Sequence, residues 1–159
     1  NTGNGFSTGD YDAFFPSQPT STVVSLSGND NCNRNGATYV GYFFAHVDGH
    51  IDHGVYTGNG ASNGTFVNLG FRPAWVIYKR FDSSDDGWYI QDVTRSPENV
   101  TRVSHNASSN SNESGENIGD ICSSGFKIRI GGNGNFNANN AKYIYLAFGD
   151  QPFKTSNSR

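Results

Sequence analysis

Apolar and polar positions along the chain divide into short alternating runs separated by clusters of glycine, asparagine and serine. One run, Ala74-Trp75-Val76-Ile77-Tyr78, is apolar on both faces of an extended backbone, which predicts a central strand covered from both sides, with Trp75 and Ile77 deeply buried. Upstream of it, Thr57-Gly58-Asn59-Gly60 and Ser62-Asn63-Gly64 provide residues that tolerate positive φ. Arg72-Pro73 forces an extended approach and withholds one amide from the ladder. Residues 54–80 therefore read as strand, turn, strand, turn, strand. Residues 79–81 and 88–91 flank Asp82-Ser83-Ser84-Asp85-Asp86-Gly87 and predict a hairpin with an acidic tip. Residues 126–130 and 143–148 predict a closing hairpin. Between these pairs, residues 93–118 are polar and rich in serine and asparagine, long for a connection in a compact domain.

An internal repeat runs through this pattern. Residues 28–39, GNDNCNRNGATY, align without a gap on residues 132–143, GNGNFNANNAKY. The flanks correspond as well: Val23-Val24-Ser25-Leu26 with Lys127-Ile128-Arg129-Ile130, and residues 39–44 with 143–148. Each copy reads as a hairpin with an Asn/Gly-rich connection, so Tyr39 and Tyr143 are expected at equivalent strand positions. Residues 1–49 then read as the C-terminal part of an upstream repeat and residues 50–159 as a complete one. The first copy is either a remnant or part of the same sandwich. An isolated hairpin is marginal in water, which favours the second arrangement.

Composition sharpens the class. With 159 residues, 20 glycines, 14% aromatic residues and no methionine, the chain has the make-up of short strands and many turns, and no long amphipathic helix is visible. The expected fold is all-β, an antiparallel β-sandwich of jelly-roll-like kind. A formal charge of −3 with no basic run argues against nucleic-acid binding. No apolar run approaches the roughly 18 residues of a membrane span, and Asn1-Thr2-Gly3-Asn4-Gly5 lacks the features of a signal peptide; the absent initiator methionine suggests a processed or partial chain. Cys32 and Cys122 could form one bridge, but their spacing is no metal motif and their pairing is not readable.

Candidate chemistry is sparse. On a strand, His46, Asp48, His50 and Asp52 would share one face and could hold zinc or a similar ion; the competing reading is a polar linker between repeats. Asp82, Asp85 and Asp86 lack the spacing of a regular calcium loop. No nucleophile elbow, phosphate-binding loop or cysteine–histidine pair is present. A glycan depolymerase would need two acids roughly 5 to 10 Å apart, and Asp82 with Asp92 or Glu113 with Glu116 are the available pairs. Sugar binding is better motivated, because aromatic faces stack on pyranose rings while amide and charged side chains bond hydroxyls. Trp88 and Tyr89 are the first candidates, joined by Asn99, Arg102 and His105 from the long polar stretch. The competing reading sends Trp88 into the core and leaves Tyr89 at the rim.

The order YTGNGxxxGTFVxxGFRPAWVxxKR in residues 56–80 resembles a domain that recurs, often in tandem, in tail-fibre and other appendage proteins of marine phages, including cyanophages. The resemblance continues through Trp88-Tyr89, residues 125–129 and residues 143–148, and departs from the pattern mainly at 46–53, 82–86 and 104–117. It implies a non-enzymatic protein of the virion surface, without cofactor. Its partners would be other virion proteins and a host cell-surface glycan or protein, with no membrane insertion. The alternative is a structural virion or filament subunit that binds no ligand. Exposed strand edges and aromatic faces, together with the trimeric habit of such appendages, lead to the expectation of a homo-oligomer, most simply a trimer.

Overall fold

The structure, a computed structural model, describes residues 19–83, 87–110 and 115–150. Eight strands are present among them: β1 (Ile51–Thr57), β2 (Phe66–Asn68), β3 (Pro73–Arg80), β4 (Tyr89–Asp92), β5 (His105–Asn106), β6 (Gly119–Cys122), β7 (Gly125–Ile128) and β8 (Lys142–Gly149). One helical turn, α1 (Asp30–Asn33), precedes them. All strand pairs are antiparallel, in a five-stranded sheet of order β1-β8-β3-β4-β5 and a three-stranded sheet of order β2-β7-β6. This is an all-β sandwich. First beside last in one sheet, and second beside second-to-last in the other, is the nesting of a jelly roll; the β3-β4-β5 meander stays within one sheet instead of crossing.

Alternation builds the core between the sheets. Val76 and Tyr78 of β3 turn inward beside Ala147, Tyr145 and Tyr143 of β8, facing Val67, Ile121, Phe126 and Ile128 of the smaller sheet. Tyr56 stacks on Tyr143 with centroids 4.8 Å apart and meets Phe126 edge-on at 6.0 Å, which ties β1, β8 and β7 together. So many tyrosines fit an interior because their hydroxyls find partners. Tyr56 Oη donates to the Phe136 carbonyl at 2.9 Å. Tyr78 Oη donates to Gln91 Oε1 at 2.9 Å, Gln91 Nε2 to Thr101 Oγ1 at 2.6 Å, and Thr101 Oγ1 to the Gly119 carbonyl at 2.6 Å. Burial, with the neighbouring phenols, pushes the Tyr56 and Tyr78 hydroxyls well above the ordinary tyrosine range, so both remain neutral donors.

Three expectations are corrected. Residues 126–130 and 143–148 do not pair: β7 lies between β2 and β6, whereas β8 lies between β1 and β3. The connection between them is not a hairpin turn but a compact loop that crosses from one sheet to the other. Trp75 and Ile77 are half-buried on the outer face of the five-stranded sheet, because the second sheet covers only the Val76 and Tyr78 side. Residues 20–45 join neither sheet and contribute no strand, and Tyr42 and Phe43 remain 80% and 67% exposed. Cys32 and Cys122 are not joined by a disulfide.

The repeat itself survives in the backbone of its connection. In the second copy, the Phe136 and Asn137 amides donate to the Asn133 carbonyl and the Ala141 amide to the Ala138 carbonyl. In the first, the Cys32 and Asn33 amides donate to the Asn29 carbonyl and the Ala37 amide to the Arg34 carbonyl. Tyr143 Oη accepts from the Ala138 amide and donates to the Gly134 carbonyl, both at 2.8 Å. Tyr39 Oη accepts from the Arg34 amide at 3.1 Å and donates to the Asp30 carbonyl at 2.7 Å. Asn140 (φ 62°) and Gly36 (φ 75°) occupy the same left-handed position. Beyond the loop the copies part: Tyr143 continues into β8, while Tyr39 starts a segment that pairs with nothing in either sheet.

Candidate functional site

The outer face of the five-stranded sheet is apolar. Directly opposed residues share a face, and on this side Trp75 stands beside Phe148, Ile77 between Leu146 and Ile90, and Val55 beside Ile144. These residues are half-buried or exposed, and Val55 is 57% exposed. Residues 42–44 run over one side of the face, where the Phe44 ring meets Phe148 edge-on at 5.8 Å. Between that segment and the sheet opens a cavity of about 890 Å³, with Trp75, Ile77, Trp88 and Leu146 on its walls and Tyr42 and Phe44 at its margin. His53 and Ser108 also line it and carry polar side chains. Trp88 is set in place by the turn after β5: its amide donates to Ser108 Oγ at 3.1 Å and its carbonyl accepts from the Ala107 amide at 2.7 Å.

The five sugar-binding candidates do not converge. Trp88 lines the cavity, whereas Tyr89 turns the other way, its ring 4.7 Å from Phe136 of the core; this reverses the assignment of Trp88 to the core and Tyr89 to the rim. Asn99 exchanges two hydrogen bonds of 2.9 Å with the Ile121 backbone and so caps the edge of β6 as a strand would. His105 pairs opposite Ile90 in β5, on the outer face. Arg102 lines a separate cavity of about 540 Å³ with Arg129, Glu116 and Ser62, where the chain enters β6 and leaves β7. What sequence reasoning missed is the apolar wall itself, although a run apolar on both faces already announced a second apolar surface.

The His46, Asp48, His50, Asp52 set also fails to gather. Residues 47–51 form a tight turn, with the His50 and Ile51 amides bonded to the Val47 carbonyl, so the strand alternation that would align the four begins only at Ile51. Asp52 Oδ1 accepts from the His53 amide at 2.9 Å and lies 3.2 Å from His46 Nδ1, while Oδ2 accepts from Tyr145 Oη at 3.2 Å. His50 rests edge-on against Phe148, with centroids 6.5 Å apart. Burial, then the Asp52 charge and hydrogen bond, pushes the Tyr145 hydroxyl up to about 12. Among the described residues, no group of three or more His, Cys, Asp or Glu side chains is placed to hold a metal ion.

Of the other acids considered, Asp82 is held by Arg80 Nε at 2.6 Å and by the Lys142 amide at 3.0 Å, and Asp92 by Arg95 Nε at 3.0 Å. Glu116 lies beside Asn133. Asp85, Asp86 and Glu113 lie outside the described residues.

The chain matches, over residues 1–152, the family described as a domain of unknown function, DUF7483. It belongs to the DUF7483 family. No curated protein and no solved structure matches this DUF7483 chain. The match takes in the first copy of the repeat as well as the sandwich, so both are parts of one family pattern.

Proposed function

We propose that this DUF7483 chain is a non-enzymatic adhesion module of a virion appendage, which holds a host-surface glycan against the outer face of its five-stranded sheet. The observation that carries the reading is the cavity of about 890 Å³ walled by Trp75 and Trp88. Two indoles, one on β3 and one just ahead of β4, are a stacking platform for the CH face of a sugar ring, and the open side leaves the hydroxyls to Ser108, His53 and water. Single sites of this kind are weak, and adhesion gains strength from repetition: several modules on one particle raise avidity by about 10² to 10⁴ without any new contact. A homo-oligomer, in its simplest form a trimer, would present them together. The phage-appendage resemblance of residues 56–80 supports this role and, with it, a position on the virion surface.

Glycan-array binding by the intact protein, repeated with Trp88→Ala, tests the reading. Binding that falls at least tenfold in the variant while the melting curve is retained supports it. Binding that ignores the substitution, or none across acidic and neutral glycans, removes it. A second reading, a structural subunit without ligand, is favoured by the exposed aromatic segment 39–45, and polymerisation that rises with concentration would support that instead. Light scattering of the native protein decides the trimer: a monomer at micromolar concentration would be incompatible with it.

A further inference from the structure

We propose that residues 28–45 are a preformed closing element for a sister module, a related copy of this sandwich, with residues 39–45 inserting between its counterparts of β1 and β3. The inference rests on the repeat and not on what the outer face binds, and insertion would draw Tyr42 and Phe44 away from the margin of the cavity on that face. In the second copy, the loop is one half of a joint. Asn137 is wholly buried, accepting from the Asn59 amide at 2.9 Å and donating to Asn59 Oδ1 and the Ala61 carbonyl. The Gly58 and Gly60 amides donate to the Ala141 and Asn137 carbonyls. A Cβ on Gly58 would run into the Ala138 carbonyl, so the 57–61 turn is shaped to receive this loop. The strand that follows then fills the slot between β1 and β3 over its whole length.

The first copy has the same loop, closed by the same tyrosine, and among the described residues nothing takes the place of the 57–61 turn against it. Asn33, the counterpart of Asn137, is exposed, and its side chain donates to the Ser27 carbonyl within its own loop at 2.9 Å. Tyr39 is 44% exposed where Tyr143 is 0%. Val40, Tyr42 and Phe43 are 77%, 80% and 67% exposed, on a segment whose counterpart in β8 has both edges paired.

The register also says which module it fits. The inward residues of β8 are Tyr143, Tyr145 and Ala147; their counterparts are Tyr39, Gly41 and Phe43, so large and small are exchanged at the last two positions. Ala147 is 0% exposed, leaving no space for a phenyl ring, so the acceptor is not an identical copy. In this module Tyr145 stands over Gly54, where a Cβ would come within 2.9 Å of its hydroxyl. An acceptor for Gly41 and Phe43 has a side chain at its counterpart of Gly54 and a smaller residue facing Phe43.

The test is a longer chain in which residues 50–131 are placed directly ahead of Gly28 of the intact 28–159 sequence, joining the repeat at its own boundary. It is made once with the natural strand and once with Gly41→Tyr and Phe43→Ala, which adapt the strand to this module's inner face. Amide exchange is followed at residues 40–45, with residues 51–149 of the downstream module as the folded reference. The adapted chain should slow exchange at 40–45 on the order of 100-fold, as a paired interior strand does, and the natural strand by less. If residues 40–45 of the adapted chain exchange as they do in the unmodified protein, while the reference stays protected, the inference is wrong. It is equally overturned if the unmodified protein protects 40–45 in a concentration-dependent dimer, since the acceptor would then be a second copy.

Discussion

The two copies of the repeat hold one local structure in two environments, and the difference separates what a loop sequence can do alone from what a sheet adds. Residues 28–39 and 132–143 share the helical turn, the left-handed residue and the tyrosine hydroxyl that closes the loop. All of these are short-range contacts, so the first copy keeps them without a sheet. The strand that follows needs partners distant in sequence, and only the second copy has them. A tyrosine latch is thus a property of the segment, whereas strand identity is a property of the slot.

The largest expected contrast is at the position filled by Phe136 and Cys32. Phe136 is 2% exposed and packs edge-on against both Tyr78 and Tyr89. Phe136→Ala should cost about 3–5 kcal/mol, as large core truncations do. Cys32→Ala, at a half-buried thiol outside the core, should stay within about 0.5 kcal/mol. Urea denaturation of both variants measures this. Equal losses would mean that residues 28–39 are packed against the sandwich far more than the fold indicates.

A smaller contrast is expected at Asn137 and Asn33. Asn137→Ala would leave the Asn59 amide and the Ala61 and Ile130 carbonyls short of a partner, a loss of about 1–3 kcal/mol. Asn33→Ala removes one exposed bond and should be near neutral in the same denaturation assay. Below that comes the latch: Tyr143→Phe should cost about 1–2 kcal/mol in global stability. Tyr39→Phe should leave the melting curve in place and only speed amide exchange at Arg34.

These contrasts also show how far the chain could be read from its residues. The all-β class, the strands at 54–57 and 74–80, and the repeat follow from turn residues and alternation, which act locally. Which strands pair was not legible: residues 126–130 and 143–148 are adjacent apolar runs, and a 12-residue connection can as well cross between sheets as fold into a hairpin. Trp75 and Ile77 illustrate the same limit for burial. A run apolar on both faces shows that two surfaces are apolar, not that two layers cover them, so Trp75→Ala should cost less than a full core truncation. Of the candidate site, only Trp88 lies at the apolar cavity; Tyr89 and Asn99 were chosen by chemical type, and each already has a structural partner. The four metal-ligand types do not share one face because strand alternation does not run through the turn at residues 47–51, which Gly49 (φ 77°) makes possible.

The smallest expected effect concerns how β8 begins. Asp82 Oδ2 accepts from the Lys142 amide at 3.0 Å and Oδ1 from Arg80 Nε at 2.6 Å, so a carboxylate just after β3 fixes the first residue of β8. The first copy, outside both sheets, has no β3 to provide one. Partial burial pushes the Asp82 carboxyl up, but the Arg80 hydrogen bond, the Lys142 amide and the guanidinium charge together hold it below the ordinary range. A folded-state value below the unfolded one contributes stability at pH above the unfolded value, and that contribution is lost as pH falls through the folded value. The group is largely solvated, so screening keeps the contribution below about 1 kcal/mol. Denaturation midpoints taken between about pH 6 and pH 2 should therefore fall slightly more for the natural protein than for Asp82→Asn. Parallel falls would show that Asp82 does not fix the start of β8, and that the strand is held by its two neighbours alone.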